Sequence, residues 1–225
     1  MGIYEFAGCV VSYEPLYGLL RRRMETYRSD TERQPDITLD GTKEDYEKLR
    51  KQYPHLSIEE CEYSCAGAEF YMKLLKHQGF MIHASAVEKE GKAYLFSAPS
   101  GTGKSTHAQL WRQTFKGEPI RIINDDKPAV CLQNGVFYAC GTPFSGKTDK
   151  NENRKAPIQG LCMLHRGKTN KIQKITSGEA LPLILPQTLF YGDEEETNLL
   201  LSFLDRFFTV CSGLQNGVYY GRRSG

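Results

Sequence analysis

Apolar and polar positions alternate between two textures along this chain. Residues 3–13 (IYEFAGCVVSY) crowd aromatic and β-branched side chains together, the composition of a strand. Residues 16–27 suit a short helix, 35–39 a second short strand, and 42–53 a charged helix. Ser57 followed three residues later by Glu60 is a capping-box pattern, so a helix opens there and runs to about His77. Phe70, Leu74 and Leu75 fall on one side of it as a core stripe.

From residue 80 the pattern turns to strands. Residues 81–87 and 92–98 flank a turn at 88–91 and read as a β-hairpin. A helix follows over 105–115, then a strand over 120–123. Residues 128–132 and 136–140 flank Asn134-Gly135, a strong hairpin turn. Residues 160–165 and 171–175 are expected to form another pair, and 177–185 a helix. From Pro186 to Val210 the pattern predicts one long helix, broken or delayed around Gly192-Asp193. The closing GVYYGRRSG has no periodicity and reads as a flexible basic tail. Regular βαβ alternation is missing, which excludes a simple doubly wound parallel sheet. The expected class is α+β (mixed α/β), a strongly curved mixed β core with flanking helices. Residues 1–79 would form an α/β extension packed on a core of residues 80–225.

Composition narrows the function classes. A chain of 225 residues suits one medium domain, or a core with a small addition. Hydrophobic content of 40% and charged content of 25% are those of an ordinary globular protein. A net charge of +2 is too small to imply nucleic acid or an anionic membrane as partner. No apolar run is long enough to span a bilayer. The first residues lack a basic segment and carry Glu5, unlike an export signal, and Phe6 stands where a myristoylation signal needs Ser or Thr. Cytoplasmic localisation is the expectation. Seven cysteines form no disulfide-like framework and read as reduced thiols. Cys61 and Cys65 share a helix face near His55, but a metal site needs further ligands, so buried thiols are expected. Arg21-Arg22-Arg23 reads as a solvated helix face.

The chemistry centres on Ser100-Gly101-Thr102-Gly103-Lys104-Ser105-Thr106, between a strand and a helix. In that context glycines let backbone N–H groups turn toward phosphate oxygens. Lysine supplies a charge to the β- and γ-phosphates, and the serine hydroxyl reaches magnesium. Ala98 stands where the strict pattern has glycine. Asp125-Asp126 follows 21 residues beyond Lys104, directly after an apolar strand. One carboxylate there can hold a metal while the other accepts the proton of an attacking hydroxyl. Asn124-Asp125-Asp126 before Lys127-Pro128 is also good turn chemistry. His83 lies one hairpin before the phosphate loop, which should bring it close. Gly141-Thr142-Pro143-Phe144-Ser145-Gly146-Lys147, continuing through Asn153 and Arg154, is a second donor-rich loop. It suits phosphate or an anionic substrate, with Lys147, Asn153 and Arg154 as substrate candidates, or it is a solvated basic loop.

Together the phosphate loop, Asp125-Asp126 and His83-Ala84-Ser85-Ala86-Val87 resemble the kinase core shared by HPr kinase/phosphorylase and phosphoenolpyruvate carboxykinase. The resemblance covers roughly residues 80–175. It implies ATP and Mg2+, with Lys104 on the phosphates, Ser105 and Asp125 serving the metal, and Asp126 as candidate base with His83 beside it. Related kinases form homo-oligomers. The expected activity is ATP-dependent phosphoryl transfer to a hydroxyl of a protein, peptide or small molecule. A nucleotide-sensing module without transfer chemistry and a small carboxykinase relative are the alternatives.

Overall fold

The aromatic run 3–13 folds back on itself. The computed structural model describes the chain except residues 116, 118, 147, 148, 190, 191, 214–216 and 225, with side chains through residue 210. In it β1 (Gly2–Phe6) and β2 (Cys9–Tyr13) pair antiparallel. The two residues between them, Ala7 and Gly8, have φ of 53° and 82°. That is the left-handed pair a tight hairpin turn demands, and alanine in the first position conceals it from a sequence reading. α1 (Gly18–Met24) ends in a 3-10 turn over Glu25–Tyr27, and β3 (Ile37–Thr38) joins β2 in parallel. α2 (Lys43–Gln52) is closed by a Thr42–Asp45 capping box, α3 (Ile58–Leu74) by the expected Ser57–Glu60 one.

α3 carries a fully buried carboxylate that the sequence pattern did not single out. Glu62 accepts hydrogen bonds from Tyr13 Oη (3.0 Å) and from the backbone of Leu16 (2.5 Å) and Tyr17 (3.1 Å). Burial raises its pKa, and these donors oppose that shift. The bonds tie the segment entering α1 to α3.

The larger sheet begins with β4 (Gly79–Met81), β5 (Ala84–Lys89) and β6 (Lys92–Ser97). α4 (Lys104–Thr114), β7 (Arg121–Asn124), β8 (Ala129–Gln133) and β9 (Val136–Cys140) follow. The chain finishes with β10 (Lys155–Gly167), β11 (Lys171–Lys174), α5 (Ser177–Ile184), a 3-10 turn over Leu185–Gln187, α6 (Glu194–Gly213) and β12 (Gly217–Ser224). Among the described residues the strand order is β4-β8-β9-β10-β6-β5-β7, with β12 beside β10 and β11 beside β12. β10 joins two halves of different character. Its first residues pair antiparallel with β9, and from Ile158 onward it pairs parallel with β6, the register shifting between Ile158 and Gly160. Such a bulge bends a strand and increases its twist. The result is a mixed α/β fold with a strongly curved mixed sheet and flanking helices.

Two expectations are corrected at the C-terminal end. β11 does not pair with β10: it lies antiparallel to β12. Residues 217–224 are not a loose tail. They form a strand parallel to β10 from Gly160↔Gly217 to Gly167↔Ser224, occupying the edge the shorter pairing would have used. The last helix is delayed past Gly192-Asp193 and starts at Glu194, because Asp193 caps it, its Oδ1 accepting from Glu196 N at 3.0 Å.

Both faces of the sheet are covered, and alternation along β6 and β10 shows how. Leu95, Leu161 and Met163 enter a cluster with Leu204 and Phe207 of α6. Phe96, Cys162 and Leu164 enter another with Ala108 of α4. A third cluster joins Phe6, Met24, Tyr27 and Phe70 to Ala129, Cys131 and Phe144. Among the described residues no helix is long and apolar enough to cross a membrane.

Candidate active site

The loop after β6 is set by two glycines. Gly101 and Gly103 have φ of 76° and 107°, which L side chains rarely adopt. Gly103 stands at the N-cap of α4, where no side chain caps the helix and no acid occupies the first turn. The positive end of α4 is therefore turned toward the loop without a competing carboxylate. Ala98 is buried, with a backbone outside the positive-φ region, so its Cβ imposes no strain where the strict motif has glycine. Lys104 is buried, and its Nζ donates to Ala98 O at 3.0 Å. Burial pushes its pKa down, with the charge of Asp126 pulling the other way. Ser100 and Thr106 are exposed, and Thr102 and Ser105 are half-buried. Arg166, at the end of β10, donates from Nη2 to Gly101 O at 2.6 Å and so touches the loop from a strand the motif does not include.

His83 sits in the break between β4 and β5, not inside a strand. Its backbone N donates to Gln187 O (2.6 Å), and Ser97 Oγ donates to its carbonyl (2.8 Å). Across the β5–β6 hairpin, Ala84 pairs with Ser97, which places the imidazole beside the phosphate loop. Nδ1 lies 3.1 Å from Gln187 Oε1, and Nε2 faces both Lys104 Nζ (2.9 Å) and Asp126 Oδ1 (3.2 Å). With the Nδ1 proton on Gln187, Nε2 either accepts from the lysine or, once protonated, donates to the aspartate.

Asn124 makes the turn that delivers the two aspartates. Fully buried, it donates from Nδ2 to Thr142 O (3.2 Å) and Phe144 O (3.3 Å), and its Oδ1 accepts from the backbone of Asp126 (3.0 Å) and Lys127 (2.8 Å). Turn chemistry and site chemistry thus coincide here. The neighbouring carboxyls enter different environments. Asp125 is 3% exposed and its Oδ1 accepts from Gly146 N at 3.0 Å. Burial raises its pKa, the Asp126 charge adds to that, and the Gly146 N–H opposes it. The Asp126 side chain is 27% exposed. Burial alone would raise its pKa, but the His83 hydrogen bond and the charges of Lys127 and Lys104 outweigh it, and the group lies below the ordinary carboxylate range.

The second loop is anchored from the N-terminal segment. Arg23 of α1 donates to Ser145 O (3.1 Å) and Gly146 O (3.3 Å), and its Nε lies 3.0 Å from Asp149 Oδ1 as an ion pair without a directed hydrogen bond. Its guanidinium rests 4.9 Å from the centre of the Tyr63 ring, whose hydroxyl donates to Ser145 O (2.6 Å). Tyr27 Oη donates to Asn151 Oδ1 at 2.6 Å. Arg23 therefore departs from the solvated face expected of the arginine triplet. A Cβ on Gly146 would stand 3.0 Å from Asp126 Cβ and 3.3 Å from Asp125 Oδ1, so the loop packs tightly against the acids and a larger residue would have to push them by a few tenths of an ångström. Of the three substrate candidates, Lys147 lies outside the described residues. Asn153 donates to Thr26 O (3.2 Å), and Arg154 to Glu88 Oε1 and Glu152 Oε2 (3.2 Å each). Neither has a described contact with His83, Lys104 or the two aspartates.

The structure thus brings Lys104, His83 and Asp126 together and sets Asp125 behind them. Arg23, Tyr63, Lys127, Arg166 and Gln187 join the site without a motif to announce them. Among the described residues, no three His, Cys, Asp or Glu side chains are placed to hold a metal ion. Ser105, in the first turn of α4, and Asp125 nonetheless offer hard oxygen donors. That donor set suits magnesium, which keeps waters and phosphate oxygens and needs few protein ligands.

No family model matches the chain, and no curated protein matches its sequence. Among solved structures it is similar to the Hpr(Ser) kinase/phosphatase from Coxiella burnetii. The identity is 12% and the TM-score 0.30, over 59% of this chain and 99% of that one. This likeness is too weak to carry any argument, and the chemistry rests on the side chains above.

Proposed function

We propose that this chain is an ATP- and magnesium-dependent phosphotransferase acting on a hydroxyl acceptor. The observation that carries the reading is the continuous contact from Lys104 through His83 to Asp126, at 2.9 and 3.2 Å. It joins a phosphate loop to a partly exposed carboxylate held in its ionised form. Asp126 takes the proton of the acceptor hydroxyl, and the oxygen attacks the γ-phosphorus of ATP. The bond from that phosphorus to the bridging oxygen breaks, and ADP leaves with the electron pair. Gly101, Gly103 and the first turn of α4 orient the phosphates, with Ser100, Thr102 and Thr106 around them, and Lys104 offsets their charge. Ser105 and Asp125 would hold magnesium, which would supply charge neutralisation to the transferring phosphates. Gln187 positions the His83 ring, and His83 keeps Asp126 deprotonated and aimed. The catalytic core comprises residues 80–225, and residues 1–79 form an extension that braces its second loop.

γ-Labelled ATP incubated with the protein and cell extract tests this directly. A labelled acceptor is expected, and its formation should require magnesium. Tight ATP binding with no labelled acceptor would instead favour a nucleotide sensor, and phosphoenolpyruvate formed from oxaloacetate would favour a carboxykinase.

A further inference from the structure

Among the described residues, the Lys127 ammonium has no oxygen partner at hydrogen-bond or ion-pair distance. Its backbone is held on both sides: the N–H donates to Asn124 Oδ1 (2.8 Å), and the carbonyl accepts from Tyr71 Oη and from Thr142 Oγ1 (3.2 Å). Its side chain is half-buried, with Nζ 5.2 Å from the centre of the Tyr63 ring. Among the described residues no oxygen lies within hydrogen-bond or ion-pair distance of that Nζ. The neighbouring cations differ. Arg23 has Asp149 and two carbonyls, and Arg154 has Glu88 and Glu152. Lys104 has Ala98 O and the His83 ring. A half-buried ammonium set over an aromatic ring, with the Asp126 charge acting on it without a direct hydrogen bond among the described residues, recovers part of its lost hydration and leaves its hydrogen-bond donors unused.

Its position gives that donor a direction. The charges of Lys104 and Lys127 both act on Asp126, while Lys104 contacts the His83 ring and Ala98 O and Lys127 contacts the Tyr63 ring. Asp126 thus separates a nucleotide flank, with Lys104 and the phosphate loop, from a second flank with Lys127, Tyr63 and Arg23. An acceptor hydroxyl must lie within hydrogen-bond reach of Asp126. The part of the acceptor next to that hydroxyl then covers Lys127. A neutral group there would strip water from the ammonium without replacing it, whereas a carboxylate or phosphate would pair with it.

We infer that the acceptor carries an anionic group, carboxylate or phosphate, close to its reacting hydroxyl, and that Lys127 binds it. This rests on the phosphotransferase reading above. The test uses cell extract separated on an anion exchanger at neutral pH, each fraction incubated with the full-length protein and γ-labelled ATP. Labelling is expected in retained fractions; phosphatase treatment of the extract beforehand abolishes it for a phosphate-bearing acceptor and spares a carboxylate. With the active fraction, Lys127→Gln should raise the acceptor KM by about 10-fold or more, the loss expected for a charged hydrogen bond. The KM for ATP should stay within about twofold, since the interaction lies on the other flank. Lys127→Arg should return the acceptor KM toward wild type. Labelling confined to the unretained fraction overturns the inference while the phosphotransferase reading stands. So does a Lys127→Gln effect on the ATP KM alone, or an equal loss in both variants. Absence of labelling in every fraction overturns the parent reading, and this inference with it.

Discussion

The two flanks of the Asp125–Asp126 pair are built by different means. The nucleotide flank is mostly local, with Gln187 and Arg166 reaching it from distant sequence. A hairpin, a glycine turn and a helix start bring His83 and Lys104 within 2.9 Å across a separation of 21 residues. The opposite flank is assembled over long distances. Arg23 reaches Ser145 across 122 residues, and Tyr27 reaches Asn151 across 124. Under the proposed function, residues of one chain thus form a site whose phosphate-binding half depends on backbone geometry. Its other half depends on how the N-terminal segment packs. Changes on the first flank should act on nucleotide binding, and changes on the second on the acceptor and on loop stability.

Lys104→Ala is the largest test of that division. Loss of the ammonium should reduce phosphoryl transfer by about 10³-fold and weaken ATP binding as well, read by turnover and calorimetry. Arg23→Ala acts on the other flank. Removing its contacts to Ser145, Gly146 and Asp149 should destabilise the protein by about 2 kcal/mol in denaturant titration, leaving ATP affinity within about twofold. An ATP affinity that fell with Arg23→Ala as steeply as with Lys104→Ala would merge the two flanks.

The smallest test separates the two acids by pH. Asp125 is held above its unfolded pKa, so its stabilising contribution is full below the unfolded value and is lost as pH rises through the folded one. Asp126 is held below its unfolded pKa, so its contribution is present above the unfolded value and is lost as pH falls through the folded one. Near neutral pH, Asp125→Asn should therefore raise the melting temperature of the free protein and Asp126→Asn lower it. Shifts of about 2–4 °C correspond to ~1 kcal/mol in a chain of this size. The difference should shrink in acid, and shifts of the same sign for both variants would contradict the opposite environments assigned to them.

The local flank was the legible one. Ser100 to Thr106 lies in one stretch, the hairpin placing His83 beside it follows from alternation and a turn, and Asp125-Asp126 stands at a strand end. The other flank left no such trace. Arg23 looks like any arginine on a charged helix until the fold sets it against Ser145 and Tyr63. Nor is the first flank legible throughout: Gln187 reaches the His83 ring from a 3-10 turn, where no periodicity marks it. The same limit explains the misread strands. Ala7-Gly8 lacks the usual turn residues, and the partners of β11 and β12 depend on which sheet edge remains open. The Asn124-Asp125-Asp126 run fits both a turn and a site in the sequence, and Asn124 is the turn through which the acids are positioned.

The most direct measurement is γ-phosphoryl transfer by Asp126→Asn beside its ATP affinity. Asparagine keeps the size of the side chain and cannot take the hydroxyl proton. The predicted result is a fall in turnover of about 10²–10⁴-fold, the range for loss of a general base, with ATP affinity unchanged within about twofold. Turnover close to that of the unaltered protein would contradict the assignment of Asp126 as base.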